Sequence, residues 1–164
     1  MGMTGPGPDC PEIRRALKPN AGSIPRVMLV VDRSWSMLQD QDRWTPIQNA
    51  LTQVTEALDG QVKFGLVVFP NPSPIGNPDP AMFGACLASG RGQLDCEESY
   101  EACAPGVVVV EPALNTSAAI VQQLQEKRPT PNQGTPTASA LIAAGNKLLE
   151  NPGPNDFVIV ATDG

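Results

Sequence analysis

The chain has 164 residues, 41% of them hydrophobic, which is one domain's length with enough apolar content for a core. Eleven basic residues stand against 17 acidic ones for a net charge of -6, and no Lys/Arg cluster interleaves with aromatics, so nucleic acid is excluded as the expected partner. No apolar run approaches the ~18–20 residues of a membrane span, and the opening Met1–Pro8 lacks the basic and apolar regions of a signal peptide.

Residues 1–25, punctuated by Pro and Gly, read as an extended lead-in. Val27 to Val31 is a continuous apolar, β-branched run, the pattern of a strand covered on both faces. It runs straight into Asp32-Arg33-Ser34-Trp35-Ser36. Thr45-Pro46 then supplies a helix cap and a first-turn proline, and Ile47, Ala50, Leu51, Val54 and Leu58 follow at helical spacing up to Gly60. Phe64 to Phe69 reads as a second strand.

Residues 70–106 are rich in Pro and Gly and carry three of the four cysteines, Cys86, Cys96 and Cys103; the fourth, Cys10, lies in the lead-in. A loop of this length is uncommon unless functional, disordered or cross-linked, so the segment reads as a disulfide-tied insertion. Zinc is disfavoured because no CxxC pair is present and the chain has no histidine. Disulfides imply an oxidising setting: extracellular, cell-surface or periplasmic. All three pairings of the four cysteines stay open.

Val107 to Val110 resumes as a short strand. Asn115 to Lys127 reads as a helix with Ile120, Val121 and Leu124 inward. Pro136 to Glu150 reads as another, with Ala138, Leu141, Ile142, Gly145, Leu148 and Leu149 on one face. Phe157 to Ala161 is a last apolar strand ending at Thr162-Asp163-Gly164. Alternating strands and helices predict a doubly wound, mostly parallel open α/β sheet with helices on both faces. Such sheets bind ligands beyond the carboxyl ends of their strands, at the topological switch point, and Asp32–Ser36 and Thr162-Asp163 both stand at such ends.

Three pieces together, Asp32-x-Ser34-x-Ser36, Gly134-Thr135-Pro136-Thr137 and Thr162-Asp163-Gly164, resemble the von Willebrand factor A (vWA) domain and its metal-ion-dependent adhesion site, over Val27 to Gly164. The resemblance implies a Rossmann-like vWA domain over 26–164, C-terminally incomplete, since the family's sheet continues beyond a strand like the last one here. It also implies one divalent cation, Mg²⁺ first and Ca²⁺ or Mn²⁺ as alternatives. Ser34, Ser36 and Thr135 would be its direct hydroxyl ligands, and Asp32 and Asp163 would act mainly through bound water. Hard cations prefer such oxygen donors. The partner implied is a protein ligand whose carboxylate completes the coordination, in a binding module that is not an enzyme.

Each piece has a plainer reading beside this one: an Asx turn at Asp32, a helix cap at Thr135, a solvated turn acid at Asp163. The family often has Gly where Trp35 stands. A tryptophan there needs negative φ, and it either folds over the loop or stands beside the metal as a partner contact. A phosphohydrolase of the haloacid-dehalogenase type is the enzyme alternative. Those proteins usually carry a second Asp where Ser34 stands, and no His-based nucleophile activation is possible here. A structural or intracellular assembly module with an unused site is the third reading.

Overall fold

The computed structural model describes residues 22–71, 88, 90, 106–130 and 134–163. The four cysteines, nearly all of the 70–106 insertion, most of the lead-in and Gly164 lie outside the described residues. Eight elements follow in chain order: β1 Arg26–Asp32, α1 Ser36–Gln39, α2 Trp44–Ala57, β2 Lys63–Phe69, β3 Val107–Ala113, α3 Ser117–Glu126, α4 Thr137–Leu149 and β4 Asp156–Ala161.

The strands form one open sheet in the order β3-β2-β1-β4. β1 pairs in parallel with β2 and with β4, while β2 and β3 run antiparallel with register shifts between Phe64 and Val67. β1 is central because its side chains are apolar on both faces. Val27, Leu29 and Val31 join a core with Met37, Trp44, Leu66, Ile120 and Leu124, under α2 and α3. Met28 and Val30 point the other way, into a core with Val67, Phe69, Ala140, Ala144 and Leu148 of α4. The period-2 alternation of β1 thus feeds two layers, and helices cover both faces of an α/β sheet.

The helix faces differ from those the sequence predicts. In α2, Trp44 is fully buried and sets the phase, so Ile47, Leu51 and Thr55 follow it inward, while Ala50, Val54 and Leu58 are exposed. Thr55 is tolerated inside because its Oγ1 donates to the Leu51 carbonyl at 2.8 Å. In α4 the buried residues are Ala140, Ala144 and Leu148, whereas Ala138, Leu141, Ile142 and Leu149 face outward. Met28, Val30, Val67 and Phe69 already fill the sheet surface below α4, so the helix approaches closely with alanines rather than with its bulky residues. Gly106 belongs to the same close approach, since a Cβ there would lie 2.8 Å from Ala140 Cα.

The caps differ too. α2 begins at Trp44, not after Thr45, and the Asp42 carboxylate accepts from Thr45 N at 2.9 Å and Thr45 Oγ1 at 2.7 Å, bonds that hold it below the usual carboxylate pKa. α3 begins at Ser117 rather than Asn115. Asp59, from the turn before β2, accepts from Ser117 N and Ser117 Oγ at 2.9 and 2.8 Å, so a residue 58 positions away satisfies the helix's first turn.

At the amino end of the sheet, Arg26 grips Asp156 bidentately, Nε to Oδ1 at 2.8 Å and Nη2 to Oδ2 at 2.6 Å, and also donates to the Leu148 carbonyl. The Arg26 hydrogen bonds hold the Asp156 carboxyl below its usual range, and its stabilising contribution is therefore complete above the unfolded value of ~4 and lost as pH falls through the lower folded value. Asp156→Asn is expected to lower stability at pH 7 and to flatten the acid limb of a stability-versus-pH curve. Parallel acid limbs for both proteins in urea titrations would remove this role.

Candidate metal centre

β1 delivers Asp32 to the carboxyl edge of the sheet, fully buried, with Ser34 almost as deeply enclosed behind it. The chain turns there because Ser34 N donates to Asp32 Oδ1 at 2.7 Å, an Asx turn that leads into α1 at Ser36. The plainer reading of Asp32 is therefore part of the geometry. Trp35 lies at φ -62 and ψ -31, right-handed backbone with no strain for a large side chain, and is half-buried.

β4 is the parallel neighbour of β1 on the side away from β2, so the strand order reverses between β1 and β4. Thr162 and Asp163 follow β4 directly and meet the β1 loop at that switch point. Thr162 Oγ1 donates to Asp32 Oδ2 at 2.7 Å, and Ser36 Oγ donates to Asp163 Oδ1 at 3.0 Å. Ser34 Oγ and Ser36 Oγ are 3.0 Å apart. A serine has one hydroxyl proton. With the Ser36 proton directed to Asp163, Ser34 is the donor between the two, giving a relay Ser34 to Ser36 to Asp163.

Four of the five residues expected from the sequence thus come together. Thr135 does not join them by a hydrogen bond among the described residues. It is exposed, two positions ahead of α4, with its carbonyl accepting from Thr137 N at 2.8 Å, and the helix cap is Pro136 rather than Thr135.

Sequence reasoning missed three neighbours. Thr162 was legible only as part of a strand-end motif, though a hydroxyl beside Asp163 at the end of a strand neighbouring β1 is placed to reach the other acid. Arg43 carries no motif signal, yet its Nη1 donates to the Ser36 carbonyl at 2.9 Å and to Asp163 Oδ2 at 3.3 Å. Arg33, inside the Asp32–Ser36 stretch, is 3% exposed and turns away from Asp32. Its guanidinium donates to the carbonyls of Pro70, Lys127 and Arg128 at 3.2, 3.1 and 3.0 Å, and burial pushes its pKa down to about 10, so it stays charged at neutral pH.

The donor set suits a hard cation. The side chains of Asp32, Ser34, Ser36, Thr162 and Asp163 offer only oxygens, two of them as carboxylates, and buried Asp32 is met among the described residues only by neutral donors, Ser34 N and Thr162 Oγ1. A buried carboxylate without a cation is costly, which is a physical reason for positive charge to be drawn there. No group of three or more His, Cys, Asp or Glu side chains able to hold a metal occurs among the described residues, and the acids of this cluster number two. No helix among them is long and apolar enough to cross a membrane. No protein-family model matches the chain, and no curated protein matches it significantly.

Proposed function

We propose that the chain is a vWA-type binding module that holds a protein ligand through a divalent cation at the β1–β4 edge. The observation that carries this reading is the convergence of Asp32, Ser34, Ser36 and Asp163 at the switch point of a mostly parallel sheet, linked by hydrogen bonds of 3.0 Å or less. Ser34, Ser36 and Thr135 would hold the ion directly, and Asp32 and Asp163 mainly through water. The ion, Mg²⁺ in the first instance, supplies a Lewis-acidic point that a ligand carboxylate can complete.

The residues of the chain do the positioning. Asp32 fixes the turn through Ser34 N, Thr162 holds the second Asp32 oxygen, and Asp163 orients the Ser36 hydroxyl. Neutral hydroxyls with the carboxylates set back leave the ion electron-poor, which favours an acidic partner over a neutral one. In this reading the module is not an enzyme, it works in an extracellular, cell-surface or periplasmic setting, and half-buried Trp35 contributes a partner contact. The Asx turn at Asp32 favours a second reading, in which the cluster only ties β1 to β4 within an assembly module.

Calorimetric titration of Mg²⁺ and Mn²⁺ separates the two. Ser34→Ala with Ser36→Ala is expected to weaken metal binding at least about 100-fold, as loss of two ligands requires. Equal affinity in both proteins, or no binding by the wild type, would leave the structural reading standing.

A further inference from the structure

The cation that touches the candidate site among the described residues is Arg43. Its root is fixed: Arg43 N donates to the Met37 carbonyl at 2.9 Å, and the next residue, Trp44, is fully buried. Its head is not enclosed. The Arg43 side chain is 40% exposed, while the Asp163 side chain it touches is 9% exposed. A guanidinium on a short anchored lever therefore rests against the more buried carboxylate, its Nη1 shared between Asp163 Oδ2 and the Ser36 carbonyl.

Like charges repel within this range, and a divalent ion drawn to Asp163 meets the guanidinium already paired with it. Solvent and salt weaken the Arg43–Asp163 pair because the arginine is exposed, so it is displaceable rather than locked. We propose that Arg43 is a tethered counter-ion that competes with the divalent cation for Asp163 and sets the affinity of the site. This deepens the metal-site reading and rests on it. In the metal-free protein Arg43 neutralises Asp163; when the ion binds, the guanidinium swings outward to the rim that a carboxylate-bearing ligand approaches.

The test compares the full chain with Arg43→Gln and Arg43→Lys by calorimetric titration of MgCl₂ and by Mn²⁺ spin resonance. Gln keeps a neutral donor for the Ser36 carbonyl and removes the charge, whereas Lys keeps the charge. The expected result is metal binding about tenfold tighter in Arg43→Gln, with Arg43→Lys within about threefold of wild type. Without metal, Arg43→Gln is expected to melt at a lower temperature than wild type. Wild-type binding with equal or weaker affinity in Arg43→Gln overturns the competition and leaves the metal site intact. Absence of metal binding in wild type and both variants overturns the competition together with the site reading.

Discussion

Replacing Trp44 with Ala is expected to lower the unfolding free energy by about 3–5 kcal/mol, and replacing it with Phe by less than half as much. Trp44 is among the largest fully buried side chains and packs in the cluster that contains Val31, Met37 and Leu66. Truncation to Ala opens a cavity that the parallel strands below cannot collapse to fill. The indole carries an opposing liability, because Nε1 has no hydrogen-bond partner among the described residues. A buried unpaired donor costs about 1–3 kcal/mol, so Phe surrenders volume but removes that penalty. Urea unfolding with unchanged slope measures both. A Trp44→Ala midpoint indistinguishable from wild type would show that α2 is not keyed by this residue.

Arg33→Met is expected to cost about 2–4 kcal/mol, since hydrogen bonds to a charged donor contribute about 1.5–3 kcal/mol each and three are lost while the guanidinium's desolvation penalty is relieved. Met keeps most of the stem volume, which isolates the head group. The carbonyls of Lys127 and Arg128 stand just past the end of α3, where a cation is favoured by the helix dipole, and the Pro70 carbonyl stands just past β2. Arg33 therefore ties the Asp32–Ser36 turn to the segment that runs on toward Thr135. Arg33→Lys should fall between Met and wild type, because an ammonium lacks the planar fork that spans three acceptors. Chemical denaturation of the three proteins checks the order, and a Met variant within about 0.5 kcal/mol of wild type would end this account.

The α/β architecture was legible because β1 and β2 are continuous apolar runs, and such runs in a parallel sheet are buried on both faces. The position of the site was legible for the same reason: Asp32 and Asp163 each follow an apolar run directly, and both strands run in one direction. The orientation of the helices was not. α4 is apolar nearly all round, so bulk alone suggested that Leu141, Ile142 and Leu149 face inward. The sheet beneath is filled by Met28 and Phe69, so the helix meets it through Ala140 and Ala144, with Leu148 the one large side chain on that face, and no pattern local to the helix contains that fact. Arg33 and Arg43 were illegible because their partners are carbonyls and a carboxylate brought close by tertiary packing. Thr135 was read from the motif's order along the chain, and that order does not specify how far its side chain stands from the cluster.

The two halves of the cluster rest on strands of unequal protection. β1 is hydrogen-bonded on both sides and shielded on both faces, whereas β4 pairs only with β1 among the described residues and has Val158, Ile159 and Val160 exposed. Amide exchange in β1 therefore requires global unfolding, while β4 can open at a smaller free-energy cost. Loosening of β4 would carry away Asp163 together with Thr162, and so the bonds that hold the second Asp32 oxygen and the Ser36 hydroxyl, while the Asp32–Ser34 turn stays with β1. Among the described residues the cluster therefore joins one strand held from both sides to one held from a single side, and its persistence depends on the β1–β4 pairing rather than on the core alone.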